Sequence, residues 1–331
     1  MNYQEFCSYV KENILSFMPE SYRCASVTVE PMKKVNSTLD GLVIKRDDQN
    51  IIPVSYLNDW FGEYSRSKDL ESVMHDIARS HLETLKPEHL PDMTKEEFCQ
   101  KGFVSLINYA DNIEFLNNMP YQRFQDLALI PKMKIGDEET VGYCNINYQI
   151  LDMMGLTPEE AFTIGTENLK RERPPILARL DDTIQALTDS SHSFRNLLDN
   201  PSRHRMPADN DMQLYLLFNN EKYGGAAYMT DREILSKASE CLGGSYAILP
   251  SSIHELILIP EVDSMCYTEL QQLVSEINRT QVEPQERLSN TVYRYDAESK
   301  IIEIAASEPQ RQRNIPAQRE EKRLGCRNKS R

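Results

Sequence analysis

The stretch Gly243–Glu261, "GGSYAILPSSIHELILIPE", sets two serines, a histidine and a glutamate inside an otherwise apolar run, and its reading decides the fold. A helical "HELIL" would open the zinc-protease pattern H-E-x-x-H, with two histidines one turn apart. Position 258 is leucine, and the run is β-prone. The stretch therefore reads as a turn, "PSS", leading into a strand. Proline fixes φ there, and the serine hydroxyls bond nearby backbone groups. Neighbouring side chains of a strand point to opposite faces. His254 is then expected to lie with Leu256 and Leu258, and Glu255 with Ile253 and Ile257, so ring and carboxylate do not pair locally. Ser252 shares the face of His254, about 6.6 Å away along the strand. No G-x-S-x-G elbow surrounds Ser251 or Ser252. The neighbourhood is expected to be architectural.

Working outward, the same logic gives hairpins with helices between them. "RCASVTVEPM" and "LDGLVIKRD" form one hairpin, and "FQDLALIPKMKI" and "TVGYCNI" a second. "MQLYLLF" and "YGGAAYM" are expected to form a third, and "TVYRYDAESKIIEIA" a last one. Helices fall on "QEFCSYVKENIL", with Phe6, Val10, Ile14 and Leu15 on one side, and on "DLESVMHDIARSHLETL", capped by Asp69. Thr157, Pro158 and Glu160 open another through a capping box, and Thr230 with Glu233 is expected to do the same for "DREILSKASECL". The fold class is α+β: antiparallel β-hairpins with packed helices, as two α/β modules. The expected division is an N-terminal module over 1–90, a middle hairpin with helices over 91–172, a polar connection over 173–210, a C-terminal module over 211–306 and a disordered basic tail over 307–331.

Composition bounds the function. The chain has 331 residues, 40% hydrophobic and 27% charged, with no apolar run long enough to span a membrane. The N-terminus lacks a signal-peptide core, so a cytoplasmic location is expected. Seven cysteines stand singly, most expected to be small buried hydrophobes, with neither zinc-ligand spacing nor a disulfide framework. Net charge is -14, which disfavours nucleic acid as a partner except through the basic tail.

No metal, cofactor or nucleotide constellation is expected. His75 and His81 are too far apart around one helix to share a metal. Gly224 and Gly225 belong to no phosphate-loop pattern and are expected to mark a bulge or close packing within a hairpin strand. In "MPYQRFQDLA", Arg123 and Asp126 read as a structural ion pair or, second, a binding site. Candidate binding residues are thus Arg123, Asp126, His254 and Glu255. The function expected is non-enzymatic protein or peptide binding, as an adaptor. The alternative is a hydrolase whose site assembles around Ser252 and His254.

Several segments, in order, carry a family resemblance: "GLVIKRDDQNIIPVSYLNDWFGEYSRSKDLESVMHDIA", "MPYQRFQDLALI", "YGGAAYM", "LPSSIHELILIP" and "INRTQVEPQERLSNTVYRYD". The chain resembles an uncharacterised bacterial family, a domain of unknown function met chiefly in anaerobic gut Firmicutes. "LPSSIHE" and "LSNTVYRYD" are the most specific parts. Where the family pattern places histidine and arginine after the proline, this chain has Tyr121 and Gln122. The resemblance implies no activity.

Overall fold

The computed structural model describes residues 1–47, 53–84, 93–136, 141–189, 193–201, 213–250 and 252–308. The basic tail beyond 308, residues 137–140, Leu85, Ser251 and Cys326 lie outside them.

The described residues form an α+β fold with three antiparallel sheets. The first unit contains α1 (Tyr3–Asn13), β1 (Ser26–Lys34), β2 (Ser37–Lys45), β3 (Val54–Tyr56), α2 (Leu57–Ser67) and α3 (Leu70–Thr84). Its sheet runs β1-β2-β3, and the hairpin closes tightly, with Lys34 opposite Ser37 and Asn36 at φ +57. The apolar faces of α1, the 3-10 turn Ile14–Phe17 after it and α3 meet there: Phe6, Val10, Ile14, Val73, Met74 and Ile77 pack on Leu42 and Ile44. Leu15 is only half-buried. Asp69 caps α3 by accepting from Ser72 N at 3.0 Å.

The second unit comprises α4 (Lys95–Lys101), β4 (Gly102–Asn108), α5 (Ile113–Leu116), β5 (Gln122–Phe124), β6 (Leu127–Ile135), β7 (Gly142–Asn145), α6 (Tyr148–Met154) and α7 (Pro158–Arg171). Strand β6 is central, pairing with β4 on one side and with β5 then β7 on the other. The capping box at Thr157 and Glu160 opens α7, with Pro158 in its first turn. A proline there sacrifices no helical hydrogen bond, because that N–H has no intrahelical partner.

The third sheet has the order β13-β12-β10-β11-β9-β8. Its elements are β8 (Ile176–Arg179), α8 (Leu180–Thr188), β9 (Tyr215–Phe218), α9 (Arg232–Leu242), β10 (Tyr246–Leu249), β11 (Leu256–Pro260), α10 (Tyr267–Thr280), β12 (Val292–Asp296) and β13 (Ile301–Ala306). The polar stretch after residue 172 thus supplies an edge strand, β8, and a helix. One core joins this sheet to the second unit: Val104, Leu106, Leu127 and Leu129 pack with Tyr215, Leu217, Ile248, Leu258 and Tyr293. No helix among the described residues is long and apolar enough to cross a membrane.

Four sequence expectations need correction. "YGGAAYM" is not a hairpin strand but a 3-10 helix over Gly225–Thr230, entered through Gly224 at φ +74. The cap of α9 is Asp231, whose carboxylate accepts from Glu233 N and Ile234 N, while the Thr230 hydroxyl donates to Ala227 O. A carboxylate one residue nearer the helix reaches its free N–H groups better than the threonine does. Of the described cysteines only Cys241 is fully buried, and Cys24 and Cys266 are exposed. Finally, strand β11 begins at Leu256, so Ser252–Glu255 are not pleated.

Candidate functional site

The loop before β11 is held by backbone contacts from two sides. Ser252 bridges Arg287, and Ile253 N donates to Glu286 O at 3.0 Å. Ala226 N donates to Ile253 O at 3.3 Å. The Ser252 hydroxyl accepts from the backbone N–H of His254 at 2.9 Å, a serine turn that breaks the strand one step early. The expectation that His254 and Glu255 are thrown to opposite faces of a strand fails for that reason. The imidazole turns toward Glu286, with Nε2 3.3 Å from its carboxylate, and toward the ring of Tyr223, centroids 5.0 Å apart. Nδ1 of His254 is buried with no hydrogen-bond partner. Burial holds the Glu255 carboxyl above the usual range, opposed by His254, reinforced by Glu286 and opposed again by the Ser252 hydroxyl. Serine, histidine and acid are therefore neighbours: the serine hydroxyl accepts from the His254 backbone N–H and acts on the Glu255 carboxyl, and among the described residues it makes no hydrogen bond to the ring.

Arg123 and Asp126 do not pair. Arg123 lies over the Tyr109 ring, 3.5 Å from its centroid, and donates to Gln125 O at 2.8 Å. Asp126 accepts from Ser289 Oγ at 2.8 Å, from Thr291 Oγ1 at 2.9 Å and from the Tyr293 hydroxyl. It pins the second unit to β12, through the "LSNTVYRYD" segment.

Tyr223 leads from His254 to a group that sequence reasoning missed. Its ring stacks on Tyr143 with centroids 3.7 Å apart, and its hydroxyl receives a hydrogen bond from Lys132 Nζ at 2.6 Å. Lys132 is 5% exposed, and burial pushes its amine down to about 8, opposed by Cys144 and helped by the nearby Arg173 charge. Burial likewise holds the Tyr223 phenol up at about 12. Arg173, also 5% exposed, stacks 3.8 Å from the Phe103 centroid and donates once, to Tyr223 O at 3.4 Å. Among the described residues neither cation forms an ion pair. A cavity of about 500 Å³ opens on Arg173, with Lys101, Phe103, Lys134, Glu172 and Glu221 among its lining. No group of three or more metal-binding side chains occurs among the described residues. The one sequence signal for Lys132 was its place in the otherwise apolar run Leu127–Met133.

A family model described as "Family of unknown function (DUF5688)" matches residues 3–297. The chain belongs to that family. No curated protein and no solved structure matches it. The match includes every residue of the DUF5688 cavity and of the Ser252–Glu286 loop pair, and ends within the β12–β13 turn.

Proposed function

We propose that this protein is a binding protein, not an enzyme, and that it holds an anionic group of a peptide or protein partner in the cavity over Arg173. One observation carries the reading: Arg173, 5% exposed, lines a cavity and forms no ion pair among the described residues. A buried charge without a partner is costly, and an incoming anion removes that cost. The cavity volume is in the range of specific ligand sites. An overall charge of -14 repels polyanions at long range, so selection falls to the local cation. The proposed setting is the cytoplasm, where single thiols stay reduced.

Peptide-array binding with purified protein tests this. Acid-bearing peptides should bind, and Arg173→Gln should weaken them by about tenfold or more while circular dichroism is unchanged. The hydrolase alternative supplies the opposing result. If the protein turns over ester or peptide probes, and Ser252→Ala or His254→Ala abolishes that turnover, the binding reading is overturned.

A further inference from the structure

We infer that the group received by Arg173 is a single carboxylate, in preference to a doubly charged phosphate or sulfate. This rests on the anion-binding reading above and narrows it. Most charges of the cavity lining are already engaged. Lys101 is paired with Glu97 at 2.7 Å, Lys134 with Glu221 at 2.8 Å, and Glu172 with Arg171 at 2.6 Å. Asn168, also on the lining, donates its amide to Cys99 O and Gly102 O and accepts from Arg171. Arg173 is the lining charge left over among the described residues.

Its geometry selects further. The guanidinium packs on Phe103 and Tyr143, 3.8 and 5.5 Å from the ring centroids, and one Nη1–H is directed at Tyr223 O. Among the described residues its Nε and Nη2 make no hydrogen bond, and that edge of the planar fork matches the two oxygens of a carboxylate. The lining also carries the carboxylates of Glu172 and Glu221. With the other lining charges paired, a monoanion neutralises the one surplus cation, whereas a dianion leaves an uncompensated negative charge in the cavity. Lys132 stands behind, off the cavity lining, and attracts either anion.

Chain termini and Asp or Glu side chains both offer this chemistry, so the experiment separates them. The Nε–Hε signal of Arg173 is identified in the native protein by its loss in Arg173→Lys, or in Arg173→Gln should the first variant not fold. It is followed at constant ionic strength during titration with acetate, acetamide, sulfate, N-acetylalanine and the α-amide of N-acetylglutamate. A saturable shift with acetate, none with acetamide, and sulfate binding at least about tenfold weaker support the inference. Tighter binding of N-acetylalanine assigns the carboxylate to a chain terminus, and tighter binding of the glutamate derivative assigns it to a side chain. Sulfate binding as tightly as acetate overturns the carboxylate inference and leaves anion binding intact. No saturable shift with any anion overturns both.

Discussion

Lys132 shows how one buried charge makes stability depend on pH. Among the described residues its ammonium has a phenol for a partner and no carboxylate, so the folded state disfavours the charged form. The amine titrates at about 8 when folded against 10.5 ordinarily. Below about 8 the lysine is charged in both states, and the folded state carries the full desolvation cost. Between about 8 and 10.5 the unfolded chain binds more protons than the folded one, so stability rises with pH and the cost fades. Lys132→Met should therefore be more stable than the native protein at neutral pH, by on the order of 1–3 kcal/mol. That advantage should shrink as pH rises from 8 toward 10. Urea unfolding midpoints of the two proteins across this range check the sign, and an advantage that grows with pH would count against it.

At the scale of the element, the 3-10 helix Gly225–Thr230 sets the position of the His254 loop. A Cβ on Gly225 would come 2.4 Å from His254 O and 3.1 Å from Phe218 Cα, both backbone atoms of packed neighbours. Neither can yield as a side-chain tip does. Gly225→Ala should cost about 1–3 kcal/mol by overpacking. Because the loop bears on Tyr223, the change should also weaken acid-bearing peptides. The denaturation midpoint and the peptide affinity should fall together, and a midpoint within about 0.5 kcal/mol of native would contradict the close approach. This is also where local reading failed. "YGGAAYM" has strand-like composition, yet the left-handed Gly224 turns the chain into a 3-10 segment that docks on a loop thirty residues on. "PSSIHE" has strand-like alternation, yet a serine hydroxyl captures the amide that a ladder would use. A backbone hydrogen bond from a distant loop in the first, and a side-chain hydroxyl two residues away in the second, outweighed side-chain periodicity.

Across the whole molecule, the tip of the first hairpin acts as a clamp. Asn36 accepts from Asn112 Nδ2 at 2.6 Å and donates its own amide to Pro284 O and Arg287 O, at 3.0 and 2.7 Å. Its backbone N–H donates to Asn112 Oδ1 at 2.7 Å. The first unit thereby grips the 284–287 loop that carries Glu286 to His254. Asn36→Gly keeps the left-handed turn and deletes the side-chain bonds. Hydrogen exchange of the 285–287 amides should then quicken by about tenfold, while the amides of α1 and α3 hold their rates. Equal acceleration everywhere would mean global destabilisation instead of a released clamp.

The sequence by itself determined the α+β class, most hairpins, the Thr157 cap and the apolar faces of α1 and α3. These follow from spacing along the chain, with a period of two in strands, 3.6 in helices and fixed offsets at caps. Tertiary structure alone decided that Arg173, in the polar run "RERPP", is buried on a phenylalanine seventy positions earlier. It also decided that Lys132 meets Tyr223, and that Asp126 meets three hydroxyls of β12 and its approach instead of Arg123. Periodicity records which side of an element is apolar, but the partner of a buried charge is set by how separate elements come together, and no local spacing encodes that distance.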